Sequence, residues 1–436
     1  MSRFTLPLRS RQSPLLYIPT EPIDPEEPLI DEILAPADII VTNAATLTAA
    51  LNGVASNLNR RYIIGMQGGN YGNFTYPANY NKGTTLVRIR SENRFSPAIF
   101  TSISANNSRN IEITRLTVDR NQLDQFGYPT GGACIDIDDS EGTNGYYCLI
   151  RDVLCEPSTY GILAYNTKRI IYEYNTIRGF SVDGMRVYGQ GNDECADSII
   201  RRSIITATHP TRTYPDVSAT VGYAHTINSA IDVRRSDQKS GDENVLNLDG
   251  VPILVTQATK DGRHADCIQG AGRWRNMLIE DCFLETHNGY CHGFLHQNRT
   301  TDSTTYSSGE IVRGCLIVGA HNHAINVTRS TNPLVEGCWI RSWPGRNWAN
   351  FWVTPANQGE AIMRPGISTR EVDQGGTGSR FQIINTVVPA TVATYWMQAA
   401  TYNATNLVFS DSAQPANWAA GLVAQGRIGQ YGHLVP

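Results

Sequence analysis

Eight of the nine histidines fall between residues 209 and 323. Within that span the stretch "DGRHADCIQG", residues 261–270, sets His264 and Asp266 two apart, with Gln269 just beyond. Asp232, Arg234, His292, His296, His321 and His323 lie in neighbouring strand-like segments. Histidine and Arg suit a lyase, which needs a base for the proton beside a uronate carboxylate and a cation to hold that carboxylate. Two carboxylates facing one bond suit a glycoside hydrolase, and Asp232 with Asp266 is the best pair available. Asp232, His264 and Asp266 are therefore the catalytic candidates. The plainer reading stands beside this one: polar residues at the corner of a repeating fold often satisfy backbone groups that the turn leaves open. Nothing in the histidine spacing fixes a metal geometry, so no metal site is expected. The four lysines (Lys82, Lys168, Lys239, Lys260) lie in turns or insertions and offer no lysine-based chemistry.

These residues need elements to hold them, and the body of the chain supplies a repeat. The segments "ITRLTV" (113–118), "IRDVLC" (150–155), "YEYNTI" (172–177), "IRRSII" (200–205), "IEDCFL" (279–284), "VRGCLI" (312–317), "VEGCWI" (335–340) and "IINTVV" (383–388) align. Their fourth places hold mostly small or apolar side chains, among them Cys282, Cys315 and Cys338, as a stacked interior row requires. A second series interleaves: "CIDI" (134–137), "GILAY" (161–165), "GMRVY" (184–188), "AIDV" (230–233), "CIQG" (267–270), "GFLHQ" (293–297) and "AINV" (324–327). The shortest intervals are 22 residues (153 to 175) and 23 residues (315 to 338), with turn-rich insertions at 206–229 and 234–263. A period in the low twenties with two or three short strands per unit marks a solenoid of parallel strands. A β-sandwich would need hairpin turns, and Asn-Gly signals between strands are scarce.

Alternation in the second series sends Ile135 and Ile137 inward and Asp136 outward. The same slot then holds Leu163, Arg186, Asp232, Gln269, Leu295 and Asn326, one residue per coil. A ledge of Asp, Arg, Gln and Asn offers the donors and acceptors that sugar hydroxyls need. The ligand-binding candidates are Asp136, Arg186, Arg234, Gln269, His292, His296 and Asn326. Tyr160, Tyr165, Tyr188, Trp274, Trp343, Trp348 and Trp352 sit at turns or strand edges, where they could stack on sugar rings or pack under loops. By strict parity Asp266 and His264 fall on the inward side with Ile268, so they must reach solvent through the turn before the strand. The acidic run "IDIDDSEG" (Asp136, Asp138, Asp139, Glu141) could offer oxygen ligands to Ca²⁺, but it lacks the spacing of a known loop and reads as a solvated turn. No cofactor is otherwise implied.

The totals agree with an all-β chain: 436 residues, 38 Gly, 17% charged, more Tyr than Phe. The net charge of −4, with 32 Arg against 4 Lys, does not point to nucleic acid and suggests many structural Arg–carboxylate pairs. No segment is apolar enough to span a membrane, and "MSRFTLPLRSRQSPLLYIPT" has no apolar export core. Nine cysteines without a CxxC pair read as buried hydrophobes, not as a zinc site or a disulfide set. Residues 1–40 hold seven of the 21 prolines and read as an extended arm. In "TNAATLTAALNGVA" (42–55), Thr42 or Asn43 can cap a short helix whose face carries Leu47, Leu51 and Val54. Residues 391–436 are apolar, aromatic and nearly uncharged, which suits a subunit interface.

The units "RIIYEYNTIRGFSVDGMRVYG" and "GRWRNMLIEDCFLETHNGYCHGFLHQN" resemble coils of the right-handed parallel β-helix, the pectate-lyase-like superfamily. The entry "TNAATLTAALNGVASNLNRRYIIGMQGGNYG" is similar to the capping helix and first coil of its polysaccharide lyases and phage tailspikes. The resemblance covers residues 40–390 and implies a saccharide groove on the outward ledge, in a fold that also hosts hydrolases, epimerases and non-catalytic receptor binders. The expectation is a virion spike that binds, and in one version cleaves, bacterial surface polysaccharide. It would attach to other virion proteins through the 1–40 arm and form a homotrimer about its long axis. A stand-alone extracellular lyase or hydrolase and a purely structural virion component are the alternatives.

Overall fold

The computed structural model describes residues 35–93, 95–122, 131–189, 194–206, 245–246, 252–253, 266–285, 292–297, 307–318, 323–328, 330–331, 333–341, 367–368, 381–388, 402–405 and 407–409. The unit starting at Pro36 opens with a strand, Ile39–Val41, and the α-helix Ala44–Gly53. Asn43 caps the helix: its side chain accepts from the Thr46 N–H, while Thr46 reaches back to the Asn43 N–H. Leu47, Leu51 and Val54 are buried and close the end of the core, as the apolar spacing anticipates.

Strands then stack in parallel. One ladder runs Arg61–Met66, Leu86–Ser91, Ile111–Val118, Cys148–Cys155, Ile170–Glu173, Ile199–Arg201, Leu278–Glu280, Ile311–Arg313, Leu334–Glu336, Phe381–Ile384 and Tyr402–Thr405. A second continues from the ends of those coils: Thr176–Arg178, Ile204–Thr206, Phe283–Glu285, Leu316–Val318, Trp339–Arg341 and Val387–Val388. A third runs Ala133–Asp138, Tyr160–Tyr165, Asp183–Tyr188, Asp266–Ala271, His292–Gln297 and His323–Thr328. Among the described residues the one antiparallel pairing is Val245–Leu246 with Pro252–Ile253. Such a stack of parallel rungs is the right-handed parallel β-helix, its hand the one that parallel crossovers take.

The bend between the first two ladders recurs at one register position. Arg115, Asp152, Tyr174, Arg202, Asp281 and Asn385 all have φ between +49° and +54°, and Gly314 and Gly337 take the same place at +60° and +61°. This left-handed conformation turns the chain sharply in one residue. The next residue points inward: apolar in the early coils (Leu116, Val153) and small or able to bond the turn in the later ones. Ser203 and Thr386 donate their hydroxyls to the carbonyls two residues back, of Arg201 and Ile384. The Cys282, Cys315 and Cys338 thiols contact the carbonyls of Glu280, Arg313 and Glu336 in the same way. These three cysteines are 0%, 0% and 1% exposed. The described cysteines are all free and buried, so they serve as small polar-tipped core residues.

Most of the segment 207–265 lies outside the described residues. Ile200 pairs directly with Ile279, and Arg186 directly with Gln269. The segment "AIDV" (230–233), read as a coil from its alternation, lies outside the described residues.

On the outward side of the first ladder a charge series forms. Arg151, Glu173, Arg201, Glu280, Arg313 and Glu336 occupy one register position in consecutive coils, alternating in sign. Glu173 is clasped from both sides, by Arg151 Nε at 3.4 Å and Arg201 Nε at 2.7 Å, and Arg313 reaches Glu280 at 2.6 Å. The Arg151–Glu173–Arg201 end is buried, with side-chain exposures of 9%, 6% and 11%, whereas Arg313 is 40% exposed.

Candidate functional site

The third ladder positions the candidate site. In Ala133–Asp138, Tyr160–Tyr165, Asp183–Tyr188 and Asp266–Ala271, the fourth and sixth residues face out while the third and fifth fill the core. Register therefore stacks Asp136, Leu163, Arg186 and Gln269 in one outward row, and Asp138, Tyr165, Tyr188 and Ala271 in the next. The rows lie on one face, two residues apart along each strand.

Arg186 is the hub. Its Nε donates to Asp183 Oδ2 at 2.5 Å, one terminal nitrogen to the Tyr160 hydroxyl at 2.9 Å, and the other to Gln269 Oε1 at 3.0 Å. The guanidinium lies 4.3 Å from the Tyr160 ring centroid and 5.0 Å from that of Tyr188, a cation–π sandwich. Tyr188 donates its hydroxyl to the same Gln269 oxygen at 2.7 Å, and its ring meets Tyr165 edge-on at 5.6 Å. Burial works against the Arg186 charge, but Asp183 and the two tyrosines outweigh it and leave the guanidinium more basic than usual. The result is a rigid aromatic and amide surface with its cation already neutralised.

Beside it stand carboxylates. Burial raises the Asp136 acid above its ordinary value, and its Oδ1 is buried with no hydrogen-bond partner. Burial first, then the charges of Asp136 and Asp139, raises Asp138 to about 6. Of the acidic run read from the sequence as a solvated turn, Asp136 and Asp138 are half-buried on the ledge, while Asp139 is exposed in the turn beyond the strand. No cluster of metal-binding side chains occurs among the described residues.

The remaining candidates fall elsewhere. Asp232, Arg234, His264, His321, Trp343, Trp348 and Trp352 lie outside the described residues. Asp266 is 0% exposed; its Oδ1 accepts from the His292 backbone N–H at 2.6 Å and faces His292 Nδ1 at 3.0 Å. His292 and His296 are buried rather than on the ledge. His296 packs flat on Trp274, with centroids 4.5 Å apart, and places Nδ1 2.6 Å from Glu310 and Nε2 3.1 Å from the Gly272 carbonyl. Trp274, counted from the sequence with the exposed aromatics, is 1% exposed and donates its indole N–H to the Val187 carbonyl. Leu295 and Asn326 continue the register of the outward row but are buried, so the polar ledge of described residues ends at Gln269. Strand alternation placed Asp136, Arg186 and Gln269 correctly on one face. Asp183 escaped it, because its role comes from an i,i+3 reach to Arg186 around the strand entry.

No family model matches the chain, and no curated protein sequence does. Solved structures do. The ORF18 protein of Geobacillus virus E2 is 10% identical over 69% of this chain and 55% of its own, with a TM-score of 0.34. The Dettilon tailspike protein is 12% identical over 80% and 59%, with a TM-score of 0.42. A mannuronic acid specific polysaccharide family 6 lyase from human gut microbiota is 9% identical over 80% and 73%, with a TM-score of 0.38. The chain thus spans little more than half the length of the two phage structures. Its own in-register rungs settle what it is in architecture: a parallel β-helix, the fold of the pectate-lyase-like superfamily.

Proposed function

We propose that the outward face of Ala133–Asp138, Tyr160–Tyr165, Asp183–Tyr188 and Asp266–Ala271 binds bacterial surface polysaccharide, and that the chain is a recognition spike of a phage particle. The observation that carries the binding role is the Tyr160–Arg186–Tyr188–Gln269 cluster set beside Asp136 and Asp138. Fixed aromatic edges and part-used amide and carboxylate groups suit sugar rings and hydroxyls, which need apolar faces and hydrogen bonds together. The spike role is supported by the sequence alone: the Pro-rich 1–40 arm as an attachment segment and the apolar 391–436 section as a subunit interface of a homotrimer. Glycan-array binding by the intact protein, repeated with Tyr165→Ala and Tyr188→Ala together, tests the ledge. Equal binding by both proteins, or none by either, sinks it. A monomer by light scattering removes the trimer.

A depolymerising version is favoured by one observation, the Asp138 acid raised to about 6 next to a second carboxyl on the same face. An acid of that strength can protonate a glycosidic oxygen in mildly acidic solution. New reducing ends that vanish in Asp138→Asn support it. An unsaturated product absorbing in the ultraviolet would indicate lyase chemistry instead.

A further inference from the structure

We infer that Asn144 is a site of spontaneous covalent modification, an asparagine that converts to aspartate and isoaspartate through a cyclic imide formed with Gly145. The reaction needs a side-chain amide followed by a main-chain N–H that can reach it. A base takes the proton of the Gly145 nitrogen, that nitrogen bonds to Asn144 Cγ, and the side-chain nitrogen leaves as ammonia. Water then opens the imide. Attack at Cγ restores an ordinary aspartyl link, and attack at the main-chain carbonyl carbon leaves the chain running through the side chain as isoaspartate. Water is the co-reactant, and nothing is oxidised or reduced.

The sequence contains three Asn–Gly pairs: Asn52–Gly53, Asn144–Gly145 and Asn288–Gly289. The last lies outside the described residues. Exposure does not separate the other two, since all four residues are exposed. Backbone freedom does. Asn52 and Gly53 belong to the helix Ala44–Gly53, where an N–H beyond the first turn donates to the carbonyl four residues back and the peptide is held helical. The Lys82 ammonium also donates to the Asn52 carbonyl, at 3.2 Å. Asn144 and Gly145 instead form the tip of a tight turn, with φ of 56° and 86°. Among the described residues no hydrogen bond holds the Asn144 amide or the Gly145 N–H. The attack requires the Asn144–Gly145 peptide to rotate out of this turn. One hydrogen bond across the tip opposes that, from the Tyr146 N–H to the Thr143 carbonyl at 3.0 Å. A Cβ built on Gly145 would meet nothing within 4 Å, so the peptide has room to turn. The base of the turn is fixed separately. Asn110 Oδ1 accepts from the Thr143 N–H at 2.7 Å and Asn110 Nδ2 donates to Thr143 Oγ1 at 3.0 Å, so opening stays local to the tip.

Peptide mapping by mass spectrometry tests the site, after the intact protein has been held in mildly alkaline buffer well below its melting temperature. Asn144 should show the mass gain of an amide turned into an acid, with isoaspartate in excess of aspartate, while Asn52 stays intact over the same time. In denaturant the two should convert at similar rates, because the helix and the turn are then both gone. Gly145→Ala should slow the conversion of Asn144 severalfold, with Asn52 as the internal reference. Asn144→Gln, which keeps the amide but lengthens its reach, should remove the mass gain at this position without moving the melting curve. Native protein in which Asn144 stays intact overturns the inference, and so does native conversion of Asn52 at an equal rate. Undiminished conversion of Asn144 in Gly145→Ala overturns the imide route.

Discussion

The charge series on the first ladder and the ledge on the third are built from the same residue types, yet they do opposite things. Along Arg151–Glu173–Arg201–Glu280–Arg313–Glu336 the sign alternates from coil to coil, so neighbours above and below can neutralise each charge. On the ledge the like charges Asp136 and Asp138 share one strand, and the cation Arg186 is drawn off by Asp183. The first face satisfies itself and is inert. The second leaves acceptor capacity unspent, which is what a binding surface needs. Charge count does not separate the two faces; the placement of sign relative to the stacking direction does.

The comparison can be broken most forcefully at the buried end of the series. Glu173→Ala leaves Arg151 and Arg201 facing each other without their anion, and is expected to cost about 3 kcal/mol, read as a loss of denaturant midpoint. On the ledge, Tyr165→Ala with Tyr188→Ala should weaken saccharide binding by about 1.5 kcal/mol in calorimetry while moving the melting temperature far less than Glu173→Ala does. The Asp138 acid gives a pH signature of definite sign. Its folded value of about 6 lies above that of an unfolded Asp, so the folded chain holds the proton more tightly, and stability falls as pH rises from about 4 through 6. Asp138→Asn should therefore raise stability at pH 7 by about 1 kcal/mol, discounted for its partial exposure, and by nothing near pH 3. The smallest effect is expected at the exposed end of the series. Glu280→Ala, opposite a half-open Arg313, should cost about 0.5 kcal/mol. A Glu280 effect as large as that of Glu173 would show that burial does not set the strength of the series.

The repeat was legible because its most constrained position repeats. Residues after the left-handed turn point into the core, and Cys282, Cys315 and Cys338 announced that row from spacing alone. The Asn43 cap and its apolar face were equally plain, since both are local. The outward placement of Asp136, Arg186 and Gln269 followed from alternation. What failed was long-range or edge-dependent. Alternation carries no information about partners across an insertion, so it assigns none to the Asp232 segment. The Arg201–Glu280 step of the charge series was invisible for the same reason. His292, His296 and Trp274 looked like site residues by type, but their burial depends on neighbouring coils that no single segment records, whereas the inward side of Asp266 did follow from parity.

Because Ile200 meets Ile279 and Thr206 meets Glu285, each 79 residues further along the sequence, the column is blind to what is spliced between those rungs. Loop-closure entropy grows only slowly with length, so material of another size could be exchanged there at small thermodynamic expense. The shaft and the part of the chain most free to diversify are thereby uncoupled. A lineage of such proteins could keep one backbone while renewing the sequence between those rungs.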